Sequence, residues 1–395
     1  MVWCAAVSAA AWAWLLLGRS FFWRTDVRLP PGREPRAWPA VTVVVPARDE
    51  AAVLPSSLPT LLAQDYPGPL RVVLVDDGST DGTGALAREL GARRGGPPLT
   101  VSSPGDPPPG WTGKLWAVRH GMALARADGP RYLLLTDADI AHDPGSLRDL
   151  VAAAERGGYD LVSLMARLRV TSRWERLVVP AFVYFFAQLY PFRRVSRRGG
   201  RTAAAAGGCV LLRTAAAERA GVPEAIRHAV IDDVSLARAV KSSGGRIWLG
   251  LADRVHSVRP YPRLADLWLM VARSAYCQLR YHPLLLAGAV VALVWAYLVP
   301  PAALVVGWAA GGAAGVVSAV LGGFGWLVMT VTYVPVLRYY RQPLLLAPTL
   351  PFTALLYTAM TVDSAVRHHR GRGAAWKGRT YPRPGRLSGP RPEEG

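Results

Sequence analysis

Tyr132-Leu133-Leu134-Leu135-Thr136-Asp137-Ala138-Asp139 is the stretch that decides the fold. Its apolar run has the length of a strand buried on both faces, and it ends in two carboxylates spaced two positions apart. Beyond the carboxyl end of such a strand, both side chains can converge on one cation. Hard oxygen ligands suit Mg²⁺ or Mn²⁺ holding a diphosphate. In the alternative interpretation, an aspartate only caps the helix that follows.

Strands of the same buried type precede and follow this stretch. Residues 41–46 and 70–75 are apolar runs separated by a predicted helix over about 50–64, which is the spacing of a βαβ unit. Further strands are predicted at 99–103, 160–164, 203–213 and 244–249. Strands that alternate with helices indicate an α/β protein.

The loop after the second strand reads Asp76-Asp77-Gly78-Ser79-Thr80-Asp81-Gly82-Thr83. Its carboxylates can hydrogen-bond a base or a ribose, its glycines allow a tight backbone, and Ser79 or Asp81 can cap the next helix. A dinucleotide site would require Gly-x-Gly-x-x-Gly after the first strand, and the sequence lacks that motif there. The pocket is therefore predicted to hold a nucleotide other than NAD.

Lys114 follows Gly110-Trp111-Thr112-Gly113 at the start of a predicted helix that ends near residue 127. An ammonium group there can pair with a phosphate in the same crevice. The alternative is a solvated surface lysine. That alternative is weakened because the chain uses arginine almost everywhere and has lysine only at positions 114, 241 and 377.

A second acidic pair, Asp232-Asp233, begins another predicted helix. These carboxylates can be caps favoured by the helix dipole, or one of them can take a hydroxyl proton as a general base. Upstream, Gly207 and Gly208 lie in the predicted strand 203–213 and would let a ligand approach its backbone closely.

The composition indicates a membrane protein. Of its 395 residues 51% are hydrophobic, 14 are tryptophan, and the formal net charge is +19. A basic excess of this size suits either nucleic acid or the cytoplasmic flanks of membrane segments. Here the charge lies at the flanks, so nucleic-acid binding is not expected. Three widely spaced cysteines predict neither a disulfide framework nor a zinc site and indicate a reducing compartment.

Apolar segments occur at both ends of the chain. Residues 1–24 are predicted to be an uncleaved membrane anchor whose carboxyl side is cytoplasmic, with a cleaved signal peptide as the alternative. Residues 25–40, rich in proline and arginine, form a linker. Segments 283–310, 313–337 and 343–363 are each long and apolar enough to span a bilayer.

Basic residues near these segments restrict the topology. The loop 338–341 and the tail 364–395 both favour the cytoplasm, which three full crossings would not allow. Either Pro300-Pro301 splits the first segment into a hairpin that adds a crossing, or the segment 343–363 is re-entrant. Segments 174–201 and 256–282 combine aromatic residues with arginines and are predicted to lie at the lipid surface. The alternative for segment 174–201 is a core helix with a solvated basic loop.

Four of these signals, taken in order, resemble the family 2 glycosyltransferases of the GT-A type. They are Val-Val-Val-Pro-Ala-Arg-Asp-Glu (43–50), Val-Asp-Asp-Gly-Ser-Thr-Asp-Gly-Thr (75–83), Thr-Asp-Ala-Asp (136–139) and Ile-Asp-Asp-Val-Ser-Leu (231–236). A narrower resemblance, to the hopene-associated membrane glycosyltransferases, rests on Gly-Trp-Thr-Gly-Lys-Leu-Trp-Ala (110–117), Arg-Pro-Tyr-Pro (259–262), Gln-Leu-Arg-Tyr (278–281) and Trp-Lys-Gly-Arg (376–379). The resemblance implies a GT-A domain, Rossmann-like and specific for nucleotide-diphospho-sugars, over residues 41–255.

The resemblance also implies roles for individual residues. It places Pro46, Ala47, Asp76 and Asp77 around the uridine, Asp137 near the ribose and the metal, and Asp139 as the main ligand of Mg²⁺ or Mn²⁺. It makes Asp233 the general base, beside Asp232, which stands where the family usually has glutamate. Further substrate-binding candidates are Glu50, Lys114, Gly207, Gly208 and Arg280. Processive relatives carry Gln-x-x-Arg-Trp, whereas residues 277–281 read Cys-Gln-Leu-Arg-Tyr, which favours the transfer of a single sugar.

The predicted function is a membrane-bound inverting glycosyltransferase that moves one sugar from a nucleotide-diphosphate sugar, a UDP-sugar by resemblance, to a lipid hydroxyl. The resemblance implies a hopanoid as the acceptor. We expect a multi-pass protein of the bacterial cytoplasmic membrane with a cytoplasmic catalytic domain. Two alternatives are a polyprenyl-phosphate glycosyltransferase and a non-catalytic membrane scaffold that keeps a nucleotide-binding domain.

Overall fold

The stretch 132–139 lies near the middle of a sheet, as its apolar composition predicts. In the computed structural model, which describes residues 1–30, 34–93, 96–371, 375–376 and 379–380, eight strands form this sheet. They are β1 (Val41–Ala47), β2 (Leu70–Asp76), β3 (Leu99–Ser102), β4 (Tyr132–Thr136), β5 (Ile140–His142), β6 (Leu161–Arg167), β7 (Cys209–Arg213) and β8 (Ile247–Ser257). Their order is β3-β2-β1-β4-β7-β6-β8-β5. Strands β1 to β4 run parallel, and β7 is antiparallel to both of its neighbours.

Helices cover both faces of the sheet and continue into an apolar bundle. They are α1 (Val2–Leu17), α2 (Leu54–Leu62), α3 (Thr83–Arg93), α4 (Gly113–Arg126), α5 (Ser146–Gly157), α6 (Arg173–Leu189), α7 (Phe192–Val195), α8 (Thr214–Arg219), α9 (Asp232–Ser242), α10 (Leu264–Ala272), α11 (Ala275–Gln278), α12 (Pro283–Ala310), α13 (Gly312–Tyr339) and α14 (Leu350–His369). Short 3₁₀ helices cover Glu224–Ile226 and Leu344–Thr349. Two strands of two residues each, β9 (Ala375–Trp376) and β10 (Arg379–Thr380), pair antiparallel.

Two hydrophobic cores lie on opposite faces of the sheet, because successive residues of a strand point to opposite sides. Leu133 packs in the core that contains α4, α6 and α9, whereas its neighbour Leu134 packs in the core that contains α2 and α5. Both side chains are almost completely buried. This two-sided burial explains why the strand reads as a continuous apolar run.

The predicted helix over 50–64 is shorter in the structure, where α2 begins at Leu54. The backbone N–H groups of residues 49–51 donate to side chains of the loop 79–83 at 2.8 to 3.0 Å. Asp49 itself has a positive φ of 49°. The left-handed conformation of Asp49 interrupts a helix at this point, and the bonds of residues 49–51 to the loop 79–83 hold this segment against that loop.

The predicted strand over 203–213 contains only Cys209–Arg213. Ala206 bonds instead with the side chain of Ser163, which accepts from the Ala206 N–H at 2.8 Å and donates to its carbonyl at 3.2 Å. At the β5 edge of the sheet, β8 extends to Ser257, well beyond the predicted end at 249. Strand β5 pairs with this extension. The prediction missed β5 because a run of three residues carries no periodicity.

The segments predicted to lie at the lipid surface form the junction between sheet and bundle. Helix α6 packs against α13 through a hydrogen bond of 2.9 Å between Tyr184 and Thr332, and Tyr357 of α14 donates to the Val178 carbonyl at 3.0 Å. The segment 256–282 is not one amphipathic helix, because α10 ends at Ala272 and is followed by the single turn of α11. Arg280 and Tyr281 then adopt positive φ, which reverses the chain before α12.

Among the residues that the structure describes, three helices are long and apolar enough to cross a membrane: Pro283–Ala310, Gly312–Tyr339 and Leu344–His369. The first is continuous through Pro300-Pro301, so the hairpin considered at that position does not form. Close packing of α12 on α13 requires small residues, since a Cβ added to Gly307 would lie 2.6 Å from the Gly315 carbonyl oxygen. Helix α1 joins this pair, with the Trp12 indole donating to the Ala296 carbonyl at 2.6 Å.

The last apolar segment begins and ends near the globular domain. Tyr339, at the end of α13, donates to the Ala252 carbonyl of β8. The chain then follows α13 backwards, so that the Pro348 carbonyl accepts from Trp326 at 3.0 Å. Helix α14 returns to α10, where Trp268 donates to Asp363 at 2.7 Å. This path has the geometry expected of the re-entrant alternative, and the number of membrane crossings stays a prediction. Most of the predicted tail 364–395, including Lys377 and Gly378 of the motif at 376–379, lies outside the described residues.

Candidate active site

One cleft of about 500 Å³, partly open to solvent, lies between the ends of β1 and β4 and the helices α4 and α9. Parallel strands place their carboxyl ends at the same edge of a sheet, and ligands of open α/β sheets bind there. The polar residues that line the cleft are Lys114, Thr136, Asp137, Asp232 and Asp233, together with Pro46 and Gly207. Its floor is apolar and includes Leu115, Val118, Met122, Val210, Leu212 and Leu236.

Lys114 lies at the centre of this cleft. Its Nζ is 2.8 Å from Asp137 Oδ1 and 3.0 Å from Asp232 Oδ2, so one ammonium joins the two acidic motifs. The residue is in the first turn of α4, which Thr112 caps by accepting from the Leu115 N–H. Burial opposes the charge of Lys114, but the neighbouring carboxylates of Asp137 and Asp232 outweigh it and raise its pKa. Lys114 is therefore a fixed cation and not a solvated surface lysine.

Asp233 is held by backbone donors. Its Oδ2 accepts from the Gly207 N–H at 2.9 Å, and its Oδ1 accepts from the Val234 N–H at 2.7 Å. Burial raises the pKa of Asp233 to about 7, the negative charge of Asp232 adds to the rise, and Lys114 and the backbone donors oppose it. A carboxylate with a pKa near neutrality suits a general base.

Asp137 and Asp139 have different partners. Burial raises the pKa of Asp137, against the opposing charge of Lys114, and the charges of Asp139 and Asp232 add to the rise. Asp139 instead accepts from Arg259 Nε at 2.8 Å and from the Ser257 hydroxyl at 3.3 Å. The same arginine donates from Nη2 to Glu50 Oε2 at 2.6 Å. Arg259 therefore links the loop after β1 to the loop after β4.

The nucleotide candidates lie at the ends of β1 and β2. Asp76 Oδ1 accepts from the Ser79 N–H at 2.9 Å, which closes the turn. Asp77 is fully buried, its N–H donates to the Ala47 carbonyl at 2.9 Å, and its carboxylate is 3.7 Å from Arg48. Asp77 therefore stabilises the loop from the protein interior, whereas Asp76 is partly exposed.

Of the predicted site residues, the cleft is lined by Pro46, Lys114, Asp137, Gly207, Asp232 and Asp233. Others lie at or just after the ends of β1, β2 and β4, namely Ala47, Glu50, Asp76, Asp77 and Asp139. Gly208 and Arg280 have other surroundings. The Gly208 carbonyl accepts from Thr136 Oγ1 at 2.7 Å, and a Cβ added at this glycine would meet Ile140 at 3.1 Å, so the residue packs against β5. Arg280 is exposed at the turn before α12. In the part of the chain that the structure describes, its side chain has no hydrogen bond or ion pair with the cleft carboxylates.

Sequence reasoning did not select three residues that the structure adds to the site. Arg259 is the first residue of the Arg-Pro-Tyr-Pro motif, and the sequence alone assigned it no function. His142 supports the acidic loop, since its Nε2 lies 3.0 Å from Thr136 Oγ1, and burial lowers its pKa to about 3, so it is neutral. Tyr190, at the end of α6, donates to Gln278 at 2.7 Å. Burial raises the pKa of Tyr190, and the charge of Asp233 adds to the rise.

The donor set of the cleft fits a divalent cation. Five carboxylates and two cationic side chains meet at this edge of the sheet: Asp137, Asp232 and Asp233 line the cleft with Lys114, and Glu50 and Asp139 pair with Arg259. Burial is the main cause of the raised pKa values of Asp137 and Asp233, and neighbouring carboxylates add to the rise. Within the described residues, no group of three potential ligands forms a closed metal cage. An ion such as Mg²⁺ would thus be held by one or two carboxylates and by phosphates of a substrate, as is usual for it.

Residues 42–221, slightly less than half of the chain, match the family described as Glycosyl transferase family 2. A solved structure of the mannosyltransferase PcManGT from Pyrobaculum calidifontis, in complex with GDP-Man and Mn²⁺, is similar with a TM-score of 0.54 and 20% identity. The similarity covers 92% of this chain and 99% of that one. The predicted GT-A fold is confirmed.

Curated relatives are similar over a shorter region. The undecaprenyl-phosphate 4-deoxy-4-formamido-L-arabinose transferase of Aeromonas hydrophila is 34% identical over 142 residues, which are 34% of this chain and 39% of the relative. The 4,4'-diaponeurosporenoate glycosyltransferase of Staphylococcus haemolyticus is 32% identical over 108 residues, 27% of this chain and 26% of the relative. The chain thus spans well under half of the length of these relatives. The predicted hopene-associated subgroup stays a prediction.

Proposed function

We propose that the protein transfers one sugar from a nucleotide-diphosphate sugar to a lipid acceptor at the membrane surface, since residues 42–221 match the family 2 glycosyltransferases. One observation supports this proposal: a single cleft joins Lys114, Asp137, Asp232 and Asp233, and its apolar floor belongs to the same hydrophobic core as the helix bundle. At the end of α6, Tyr190 bonds with Gln278 of α11.

In the proposed reaction, Asp233 is the general base. Its carboxylate accepts the proton of the acceptor hydroxyl while that oxygen attacks the anomeric carbon from the face opposite the diphosphate, so the configuration inverts. The bonds from the Gly207 and Val234 N–H groups fix the carboxylate in place. Help of this kind accounts for roughly 10² to 10⁴ in rate.

Lys114 stabilises the departing diphosphate. The ammonium is fixed between Asp137 and Asp232, and a developing negative charge nearby gains from a cation that needs no reorganisation. Asp137 and Asp139 would hold Mg²⁺ or Mn²⁺, which when bound supplies further charge neutralisation at the leaving group. Asp76 and the end of β1 at Pro46 and Ala47 would contact the nucleoside.

The nature of the acceptor is proposed in two forms. A lipid hydroxyl, such as that of a hopanoid, requires a base, and the raised pKa of Asp233 supports this form. A polyprenyl phosphate is already ionised, and the name of the Aeromonas relative supports this second form. A scaffold without catalysis would have no need for the fixed Lys114–Asp232 pair beside a second carboxylate.

We further propose that the domain lies on the cytoplasmic face of the bacterial cytoplasmic membrane. The arginines at positions 193, 194, 197, 198 and 201 and at 338 and 341 flank the apolar helices on the domain side. Such clusters favour the cytoplasm and anionic headgroups.

The direct test uses the full chain purified in detergent. UDP- and GDP-sugars are incubated with and without Mn²⁺, and the release of nucleoside diphosphate is measured, first without acceptor and then with a hopanoid or with undecaprenyl phosphate. We expect slow hydrolysis of one donor class and faster release with one acceptor. No release from any donor with either lipid would contradict the proposed function.

A further inference from the structure

Arg259 occupies a defined place beside the predicted metal ligand. It follows β8, and the chain on either side of it is anchored: the Val258 N–H donates to the Asp139 carbonyl at 2.9 Å, and the Tyr261 N–H donates to Glu175 at 2.7 Å. Prolines at 260 and 262 further restrict this segment. The backbone of Arg259 therefore has a fixed position relative to the loop after β4.

The guanidinium joins two carboxylates from different loops. Its Nε is 2.8 Å from Asp139 and its Nη2 is 2.6 Å from Glu50, and all three side chains are largely buried, with exposed fractions of 25%, 14% and 8% for Arg259, Asp139 and Glu50. The two carboxylates raise the pKa of Arg259 against the effect of burial. In the absence of any ligand, Arg259 thus supplies the positive charge that Asp139 requires.

Donor binding changes this balance. A divalent cation at Asp139 would be repelled by a guanidinium on the same carboxylate. The diphosphate of a nucleotide sugar brings negative charge to the same edge of the sheet, and the planar fork of an arginine matches phosphate oxygens as well as it matches a carboxylate. A change of the Arg259 side-chain rotamer would suffice for this exchange, because the backbone of this segment is fixed and the side chain is long.

We propose that Arg259 is a donor-binding residue that exchanges partners: it neutralises Asp139 in the free protein and pairs with the donor diphosphate when Asp139 takes the cation. This inference rests on the proposed function for the identity of the donor as a nucleotide sugar. It predicts opposite effects of one substitution on two ligands, which a purely structural arginine would not produce.

The experiment measures binding and not turnover, on the full chain in detergent. Mn²⁺ binding without nucleotide is followed by the loss of the free-ion EPR signal, and UDP binding, with GDP in parallel, is followed by calorimetry at saturating Mn²⁺. For Arg259→Ala we expect Mn²⁺ to bind several-fold more tightly, because two buried carboxylates lose their cation. We expect the nucleoside diphosphate to bind about tenfold more weakly, because one charge-assisted contact is lost.

Arg254→Ala is the matched control. Arg254 also lies on the β8 side of the domain and also pairs with an aspartate, Asp149, at 3.0 Å, but the pair is exposed. This variant is expected to leave both affinities unchanged. Arg259→Lys keeps the charge without the fork, so we expect its Mn²⁺ affinity to match the wild type and its nucleotide affinity to be reduced. This variant also serves as the test if Arg259→Ala does not fold.

Two results would overturn the exchange. If Arg259→Ala weakens Mn²⁺ and nucleotide together, Arg259 only positions Asp139. If it changes neither more than Arg254→Ala does, Arg259 is a structural ion pair. The proposed function can fail independently: a wild-type protein that binds nucleotide and Mn²⁺ but transfers no sugar would refute the activity and leave the binding comparison interpretable.

Discussion

At the scale of single residues, the central feature is a carboxylate whose pKa lies close to neutrality. Asp233 has two backbone donors, which favour its ionised form, and yet burial and Asp232 raise its pKa to about 7. The site thus keeps Asp233 ready to take a proton. Lys114 limits the rise, because it lies 3.0 Å from Asp232 and partly neutralises that neighbour.

Asp233→Asn tests the role of the base. The amide has nearly the same shape but cannot take a proton, so we expect transfer to a hydroxyl acceptor to fall by about 10² to 10⁴. Donor affinity, measured by calorimetry with UDP and Mn²⁺, should change little. With polyprenyl phosphate as acceptor, the loss should be much smaller, because that acceptor is already ionised. Unchanged transfer to a hydroxyl would dismiss Asp233 as base.

The pH dependence of transfer follows from the same residue. The base must be ionised, so kcat/KM should rise from pH 6 to pH 8 through an apparent pKa of about 7. Asp232→Asn removes the negative neighbour, so the rise should move to lower pH. This variant shares the cleft but is not the base, and a profile that stays in place would contradict the coupling between the two aspartates.

Linkage gives the sign of the effect on stability. The ordinary pKa of Asp233 is 3.8, and its raised value means that the folded protein binds the proton more tightly than the unfolded chain. The contribution of this group to the free energy of unfolding is therefore present below about pH 4 and decreases as the pH rises to about 7.

At the scale of elements, the sequence predicted most of the sheet and the meeting of its acidic loops. Strands β1, β2 and β4 are long apolar runs, and their parallel order places Pro46, Asp76 and Asp137 at one edge. Lys114 and Asp232 were also predicted to lie there. These inferences succeed because they depend only on local patterns and on the geometry of parallel strands.

The role of Arg259 could not be predicted in the same way. It depends on the length of β8, whose burial pattern is irregular after Ala252 because Asp253 and Arg254 are both exposed, and on its pairing with the three-residue strand β5. Neither feature has a strong local signal. Arg280 illustrates the reverse case, since a family motif suggested a contact and the positive φ at the turn leaves its side chain exposed.

Ser163→Ala tests how the Gly207 loop is held. The Ser163 hydroxyl is fully buried and replaces a strand partner for Ala206, the residue before Gly207. Removing it leaves the Ala206 N–H without its 2.8 Å partner, which costs about 1–3 kcal/mol of stability. Thermal unfolding in detergent measures the change. The exposed serine in Ser56→Ala is the control and should be near neutral, and equal effects of both substitutions would contradict the assigned role.

At the scale of the whole molecule, the domain and the bundle share a continuous core. The core that contains α4 and α9 also contains Trp12 of α1, Tyr333 of α13 and Tyr357 of α14. Helix α6 lies between the two parts and is followed by Tyr190, which donates to Gln278 of α11. The headgroup of a lipid acceptor held along the bundle would therefore have a fixed position relative to the cleft. A fixed position suits the transfer of one sugar to that headgroup.

The re-entrant path of residues 343–369 makes a prediction about topology. Tyr339 and Asp363 both contact the domain side, at Ala252 and Trp268, while Pro348 reaches Trp326, 13 positions and about 20 Å back along α13. Only α12 and α13 would then cross the bilayer completely after the domain. The basic end of α14 would lie on the side of the catalytic domain, in agreement with the distribution of arginines.

Single cysteine reporters decide between this path and a full crossing. They are placed at Arg126 on the domain, at Ala310 in the turn between α12 and α13, and at Arg370 after α14, with Cys4 and Cys277 replaced and the buried Cys209 kept. An impermeant maleimide should label Arg126→Cys and Arg370→Cys from the same side and Ala310→Cys from the other. Labelling of Arg370→Cys together with Ala310→Cys would mean that α14 crosses the bilayer, because its end would then lie opposite the domain.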